Sequence, residues 1–245
     1  MLVEDDGLVR TLTLNRPARL NAFTAASYRT LARLLVGADL DEEVHTVLLR
    51  GAGRAFSSGV DLDALRASAD TTGELGETFD ELLEALMGLQ KPLVAAVQGS
   101  AVGFGATILL HCDLVLVAED ARLRFPFTSL RTAPEAGSSM LLSVIAGPQR
   151  AAEFLFTSRW VGAAEALAAG LAVRSCAPDR LQAEAMDLAR EVAAQPLAAV
   201  AATKRLLRDA RAQELGAALA RERHEARHLS ELLGPMGTPP RRESP

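Results

Sequence analysis

The chain has 245 residues, 49% hydrophobic and 23% charged, which is enough apolar material for one sizeable buried core and too much for a disordered chain. Its formal net charge is −5, and no basic stripe interleaved with aromatics runs along it, which argues against a nucleic-acid partner. The longest apolar and glycine stretch, residues 101–110, is too short to span a bilayer.

LVRTLTL (8–14) alternates apolar and polar residues and predicts a strand, ended by a turn at Asn15, Arg16 and Pro17. Thr24 is placed to cap a helix running to Leu40. HTVLLRG (45–51) is a second strand, and the glycine- and serine-rich GAGRAFSSGVDL (51–62) is a loop opening a short helix near Asp61. Residues 71–90 form an amphipathic helix with Phe79, Leu82, Leu83 and Leu86 on one face, stopped by Pro92. LVAAVQG (93–99) and DLVLVAED (113–120) are the third and fourth strands, and RLRFPFTSL (122–130) is an extended piece before the loop RTAPEAGSS (131–139). Two helical segments divide at Gly147 and Pro148, Gly170 ends another helix, and LAVRSC (171–176) is a short strand. From Asp179 the chain reads helical, broken at Pro196, with a frayed end. Strands alternating with helices predict an α/β chain with crossover connections.

The acidic opening MLVEDDG lacks the plan of a signal peptide, and the closing RRESP matches no peroxisomal or anchoring signal, so a cytoplasmic protein with no membrane partner is expected. Cys112 and Cys176 have no metal-type spacing and read as reduced thiols in a core. His224 and His228 are four apart on a helix, but without a metalloprotease motif they read as a solvated face, and no metal is expected. Only Lys91 and Lys204 among 26 basic residues are lysine, a bias of composition rather than function.

The glycine clusters GAG (51–53) and GFG (103–105) follow strands, but neither completes a dinucleotide or phosphate-loop motif. No serine sits in a nucleophile elbow. What remains is two strand-to-helix turns, FSSGVDL and SAVGFGA. Either alone needs its glycines only for a tight turn. Together they can point two backbone amides, those of Val60 and Phe104, at one oxygen, as in an oxyanion hole.

With those turns in hand, LNRPARLNAF (14–23), GAGRAFSSGVDL (51–62), KPLVAAVQGSAVGFGATILLHCDLVLV (91–117) and GPQRAAEFLFT (147–157) resemble the enoyl-CoA hydratase/isomerase, or crotonase, superfamily, in order over roughly residues 1–210. The resemblance implies a β-β-α spiral core over 1–190, a C-terminal helical trimerisation region over 191–245, and a homotrimer or dimer of trimers. It implies an acyl-CoA ligand whose thioester oxygen meets the Val60 and Phe104 amides, coenzyme A being part of the substrate and no separate cofactor being needed. Arg19, Leu20 and the loop Ser58, Gly59, Asp61 and Leu62 would border the adenine and pantetheine, with Gly103 shaping the second turn. Lys204 and Arg205 fall where relatives place basic residues near the CoA phosphates, although a solvated helix face explains them as well. Leu65, Phe79 and Leu83 would form one wall of an acyl tunnel, and Trp160 and Tyr28 read as packing. Asp61 also reads as a helix cap and Asp113 as structural.

Hydratases of this superfamily use two glutamates, and the resemblance places their positions at Thr107 and Phe127. Neither residue is an acid, which argues against water addition. The stretch FPFTSLRTAPEAGSSMLL resembles instead the branch containing 3-enoyl-CoA to 2-enoyl-CoA isomerases, where the acid of a Pro-Glu-x-Gly-type loop is the base; here that acid is Glu135. A single carboxylate can take a proton alpha to a thioester and return it two carbons along. Read from the residues alone, Glu135 is also a helix-start carboxylate. Other enolate reactions on a CoA thioester (hydrolysis, decarboxylation, ring isomerisation) would use the same acid, and a non-catalytic acyl-CoA binder would also carry Thr107 and Phe127.

Overall fold

The computed structural model describes residues 1–67 and 73–233; the expected start of the helix at 71–72 and the frayed end lie outside them. A six-stranded sheet has the order β1(Leu2–Asp6), β2(Val9–Leu14), β3(Thr46–Gly51), β4(Leu93–Val97), β6(Leu114–Ala118), β9(Arg174–Cys176). The β1–β2 pair is antiparallel and the other neighbours are parallel. A second sheet joins β5(Ser100–Val102), β7(Arg122–Arg124) and β8(Trp160–Gly162).

The parallel strands are apolar on both faces because both faces are covered. Val47, Leu49, Leu93, Ala95 and Val97 point into the main core, against α1(Ala25–Leu40) and α3(Glu74–Gly88). Their neighbours Leu48, Val94, Ala96 and Leu116 point the other way, onto Leu181, Ala185, Leu188 and Ala189 of α8(Leu181–Ala193). The expected 190/191 division therefore falls inside a helix that completes the sheet's second face. The chain next breaks at Pro196, ahead of the 37-residue α9(Leu197–Leu233).

Thr24 caps α1 as expected, in a reciprocal box. The Ser27 N–H donates to Thr24 Oγ1 at 3.3 Å, and the Thr24 N–H donates to Ser27 Oγ at 2.6 Å. Tyr28, Leu31, Ala32, Leu35 and Ala38 then follow helical spacing into the core. The strand at 2–6 has no counterpart in the sequence reading. All five residues are exposed, and its acids pair with arginines of neighbouring elements: Glu4 with Arg50, Asp5 with Arg10 and Asp6 with Arg190.

The remaining elements are α2(Leu62–Ala67), α4(Phe104–Thr107), α5(Ser138–Ala146), α6(Pro148–Thr157) and α7(Ala163–Ala168). Trp160, read as packing, is 38% exposed and packs under Arg122 and Arg124, whose guanidiniums lie over its ring at 4.4 and 5.5 Å. Among the described residues no helix is long and apolar enough to cross a membrane, and no cluster of metal-ligating side chains occurs.

Candidate active site

The site is built first from the two turns. Ser57 stitches them together: its N–H donates to Ser100 O at 3.2 Å, and its carbonyl accepts from the Val102 N–H at 3.0 Å. The Ser57 hydroxyl donates to Asn21 O at 3.0 Å and accepts from the Gly59 N–H at 3.1 Å. Gly59 has φ +83°, and a Cβ there would lie 2.5 Å from Val102 O and 3.3 Å from the Phe104 nitrogen. Only glycine lets the first turn lie this close to the second.

The segment at 60 is clamped by backbone bonds on either side of it. The Phe23 N–H donates to Gly59 O, and the Asp61 N–H to Phe23 O, both at 2.7 Å. Val60's own N–H has no protein acceptor among the described residues, and neither has the N–H of Phe104, a fully buried residue at the start of α4. Buried backbone donors are almost always paired, so two unpaired N–H groups on abutting turns stand out.

Arg19 and Leu20 lie against the 58–62 loop. The Ser58 N–H donates to Leu20 O at 2.9 Å, and Arg19 pairs with Asp63 at 3.2 Å. Asp61 caps α2 through the N–H groups of Asp63 and Ala64, and its other oxygen takes Arg16 at 3.0 Å. Leu62 is exposed, and Gly103 is the residue before α4.

Behind the Phe104 amide lies a cluster of rings. Phe23 stacks on Tyr28 at 5.1 Å, and Phe104 meets the edges or faces of Phe23, Tyr28 and Phe79 at 5.1–5.2 Å. Tyr28 packs, as expected, against the rings beside Phe104. Its hydroxyl is pushed well above its ordinary range, first by burial and then by the charge of Glu135. Phe79 and Leu65 are half-buried against the same core, whereas Leu83 is fully enclosed.

Glu135 sits on the loop ahead of α5. The residue is half-buried, and desolvation of its carboxyl, aided by the charge of Glu222, raises its pKa from 4.5 to about 7. The following residues, Ala136 at φ +59° and Gly137 at φ +72°, are both left-handed, in a turn closed by the Ser138 N–H on Glu135 O at 3.0 Å. A left-handed alanine is strained and needs support from outside the turn. His111 supplies part of it: burial holds its imidazole neutral, with a pKa of about 4, and its Nε2 lies 2.8 Å from Ala136 O.

Thr107 and Phe127 are buried, and the Thr107 hydroxyl has no partner. Lys204 is not brought to this group. Its buried ammonium donates to Asp113 Oδ2 at 2.6 Å and Lys91 O at 2.8 Å, and the same Asp113 oxygen accepts the Leu93 N–H. A cleft of about 210 Å³ opens beside Asn21, Phe23, Thr24 and Ser27, but its lining holds no acid and none of Val60, Phe104 or Glu135. It therefore lacks the means for proton transfer.

Sequence reading missed Glu222. The pattern Leu215, Ala218, Leu219, Glu222 follows one helical stripe, and that spacing was the available signal that the glutamate faces inward.

Known proteins agree with this architecture. The family model described as enoyl-CoA hydratase/isomerase matches residues 4–231. A probable enoyl-CoA hydratase of Rhizobium meliloti is 35% identical over 204 residues, covering 83% of this chain and 79% of that protein. The peroxisomal enoyl-CoA delta isomerase 3 of Mus musculus is 35% identical over 175 residues, covering 70% of this chain and 55% of that protein. A crystal structure of an enoyl-CoA hydratase/isomerase from Pseudoalteromonas atlantica superposes with a TM-score of 0.88 at 35% identity, covering 94% of this chain and 90% of that one. The chain belongs to the enoyl-CoA hydratase/isomerase family and has the crotonase fold, with a long C-terminal helix.

Proposed function

We propose that this enzyme moves a carbon–carbon double bond from the 3 to the 2 position of an enoyl-CoA, with Glu135 as both base and acid. The observation that carries the reading is the Glu135 carboxyl, desolvated to a pKa of about 7 and near enough to Tyr28 of the ring cluster for its charge to be felt there; the family resemblance, which puts the hydratase glutamates at Thr107 and Phe127, supports it. A base of that strength is half ionised near neutral pH and still strong enough to take a proton acidified by a thioester.

The reaction divides into two proton transfers. Glu135 removes a proton from the carbon next to the thioester carbonyl, and the electron pair moves onto the thioester oxygen as an enolate. The Val60 and Phe104 N–H groups receive that charge, worth several kcal/mol to the transition state. The electron pair then re-forms the carbonyl while the protonated Glu135 delivers its proton to the carbon two positions on, leaving the bond conjugated. The rings of Phe104, Tyr28 and Phe79, with Phe127 as a further apolar contributor, keep water from the enolate. Coenzyme A enters with the substrate, along Arg19, Leu20 and the 58–62 loop, and no further cofactor takes part. Lys204, as placed here, holds its own chain together; contact with a CoA phosphate would require it to leave Asp113.

Exposed apolar residues such as Val144, Phe156, Leu206 and Leu207 support assembly as a trimer or a dimer of trimers. The deciding assay gives purified enzyme a 3-enoyl-CoA and follows the conjugated 2-enoyl product, beside Glu135→Gln. Turnover that vanishes in the variant, with acyl-CoA binding intact, supports the reading; turnover retained in the variant overturns it. Wild-type hydration of a 2-enoyl-CoA at comparable rate would favour the activity named for the Rhizobium relative.

A further inference from the structure

The turn carrying Glu135 is held by a residue 85 positions further along the chain. Glu222, on α9, is 6% exposed, and its carboxylate accepts the Gly137 N–H at 2.7 Å, the Ser139 N–H at 2.8 Å and the Ser139 hydroxyl at 2.5 Å. α5 begins without a capping side chain of its own, since its N-cap is Gly137. Glu222 supplies that cap from another element. Leu215, two turns earlier on α9, packs over Gly137, and Arg223 ties the same stretch of α9 to Asp80 of α3 at 2.7 Å.

We propose that Glu222 is a positioning residue for the base: by gripping the left-handed turn at 136–139 from α9 it fixes where the Glu135 carboxyl points and keeps that carboxyl desolvated. The proposal rests on the reading of Glu135 as the base. Three hydrogen bonds to one buried carboxylate are more than helix docking needs, and all three fall within four residues of Glu135. The strain at Ala136 gives the grip its purpose, because a turn with two consecutive left-handed residues relaxes unless held from both sides. His111 holds it at Ala136 O and Glu222 at the next two free amides. The Glu222 charge also opposes ionisation of Glu135. Other titratable or charged groups facing this pair are Tyr28 from α1, the neutral His111, Arg211 from α9 behind His111, and the Arg223–Asp80 pair.

The test combines a titration with kinetics. The Glu135 carboxyl is followed by carbon-13 NMR against pH, assigned with Glu135→Gln, in wild type, Glu222→Gln and Glu222→Ala. Expected is a fall of about one unit in the Glu135 pKa in Glu222→Gln, with the acid limb of the pH–rate profile moving down by the same amount. Glu222→Ala should in addition lose amide-exchange protection at Gly137 and Ser139 and about tenfold in plateau kcat with KM little changed, and Glu222→Asp should restore part of that loss. An unchanged Glu135 titration in Glu222→Gln, with protection and plateau kcat retained in the alanine variant, overturns the proposal. If Glu222→Ala fails to fold, the nearly isosteric Glu222→Gln decides through the titration alone. A wild type that shows no isomerase turnover would sink the base reading, while titration and exchange still answer for Glu222.

Discussion

The two halves of the site are held in different ways. The amides of Val60 and Phe104 are set by the turns themselves, through the backbone and hydroxyl of Ser57, the close approach of Gly59 and the backbone clamp from Phe23. Glu135, the proposed base, sits on a strained turn held in place by an imidazole and by a carboxylate from the far end of the chain. The paired turns are thus rigid by construction, and the turn carrying Glu135 depends on a remote helix. On the proposed function, two such amides could serve many enolate reactions, while the turn that carries the acid would select among them.

The largest effect should come from the base. Glu135→Gln is expected to lower turnover of a 3-enoyl-CoA by about 10³-fold while leaving acyl-CoA affinity within a few-fold, measured by steady-state kinetics and equilibrium binding. Next is the rigid half: Gly59→Ala puts a methyl group against Val102 O and should cost about 10²-fold in kcat by misplacing the amides. If that variant kept full activity, the proposed role of the paired turns would fall.

A third prediction separates the halves by pH. Folded Glu135 holds its proton between about 4.5 and 7, where the unfolded chain has released it, so stability falls as pH rises through that window and is level above it. Glu135→Gln should therefore be more stable than wild type at pH 8 by about 2–3 kcal/mol beyond any difference at pH 4. The comparison cancels His111, which acts oppositely, losing stability as pH drops from 6.5 toward about 4. Denaturant melts at the two pH values check this, and equal differences at both would show that Glu135 is not desolvated. In turnover, the same group should give kcat/KM rising with pH through about 7. The smallest effect lies outside both halves: Thr24→Ala should cost about 1 kcal/mol by removing the α1 cap, with kcat unchanged.

Much of the rigid half was legible from sequence because its signals are local. The alternation in LVRTLTL, the Thr24 cap and the glycines of the two turns lie within a few residues of what they specify. Strands β5, β7 and β8 are three residues each, too short to show a period of two, and β1 is exposed throughout and held by pairing and ion pairs rather than by apolar burial. Glu135 stood out by its motif, but its support did not. Glu222 lies in the run ARERHEAR, among charged residues that face water, and its partners at 137 and 139 are distant in sequence. Lys204 shows the converse: a lysine expected to be free for phosphate is buried in a bond with Asp113 that no local pattern announces.

The 85-residue separation between Glu222 and Gly137 also sets an order in time. Chains fold from the N-terminus as they leave the ribosome, so the sheet with its paired amides and covering helix α8 can close before Glu222 emerges. A nascent or C-terminally clipped molecule lacking α9 would then have a closed sheet but no Leu215 and Leu219 in its core and no grip on the turn at 136–139. On the proposed function, a securely held Glu135 would be among the last features the chain acquires.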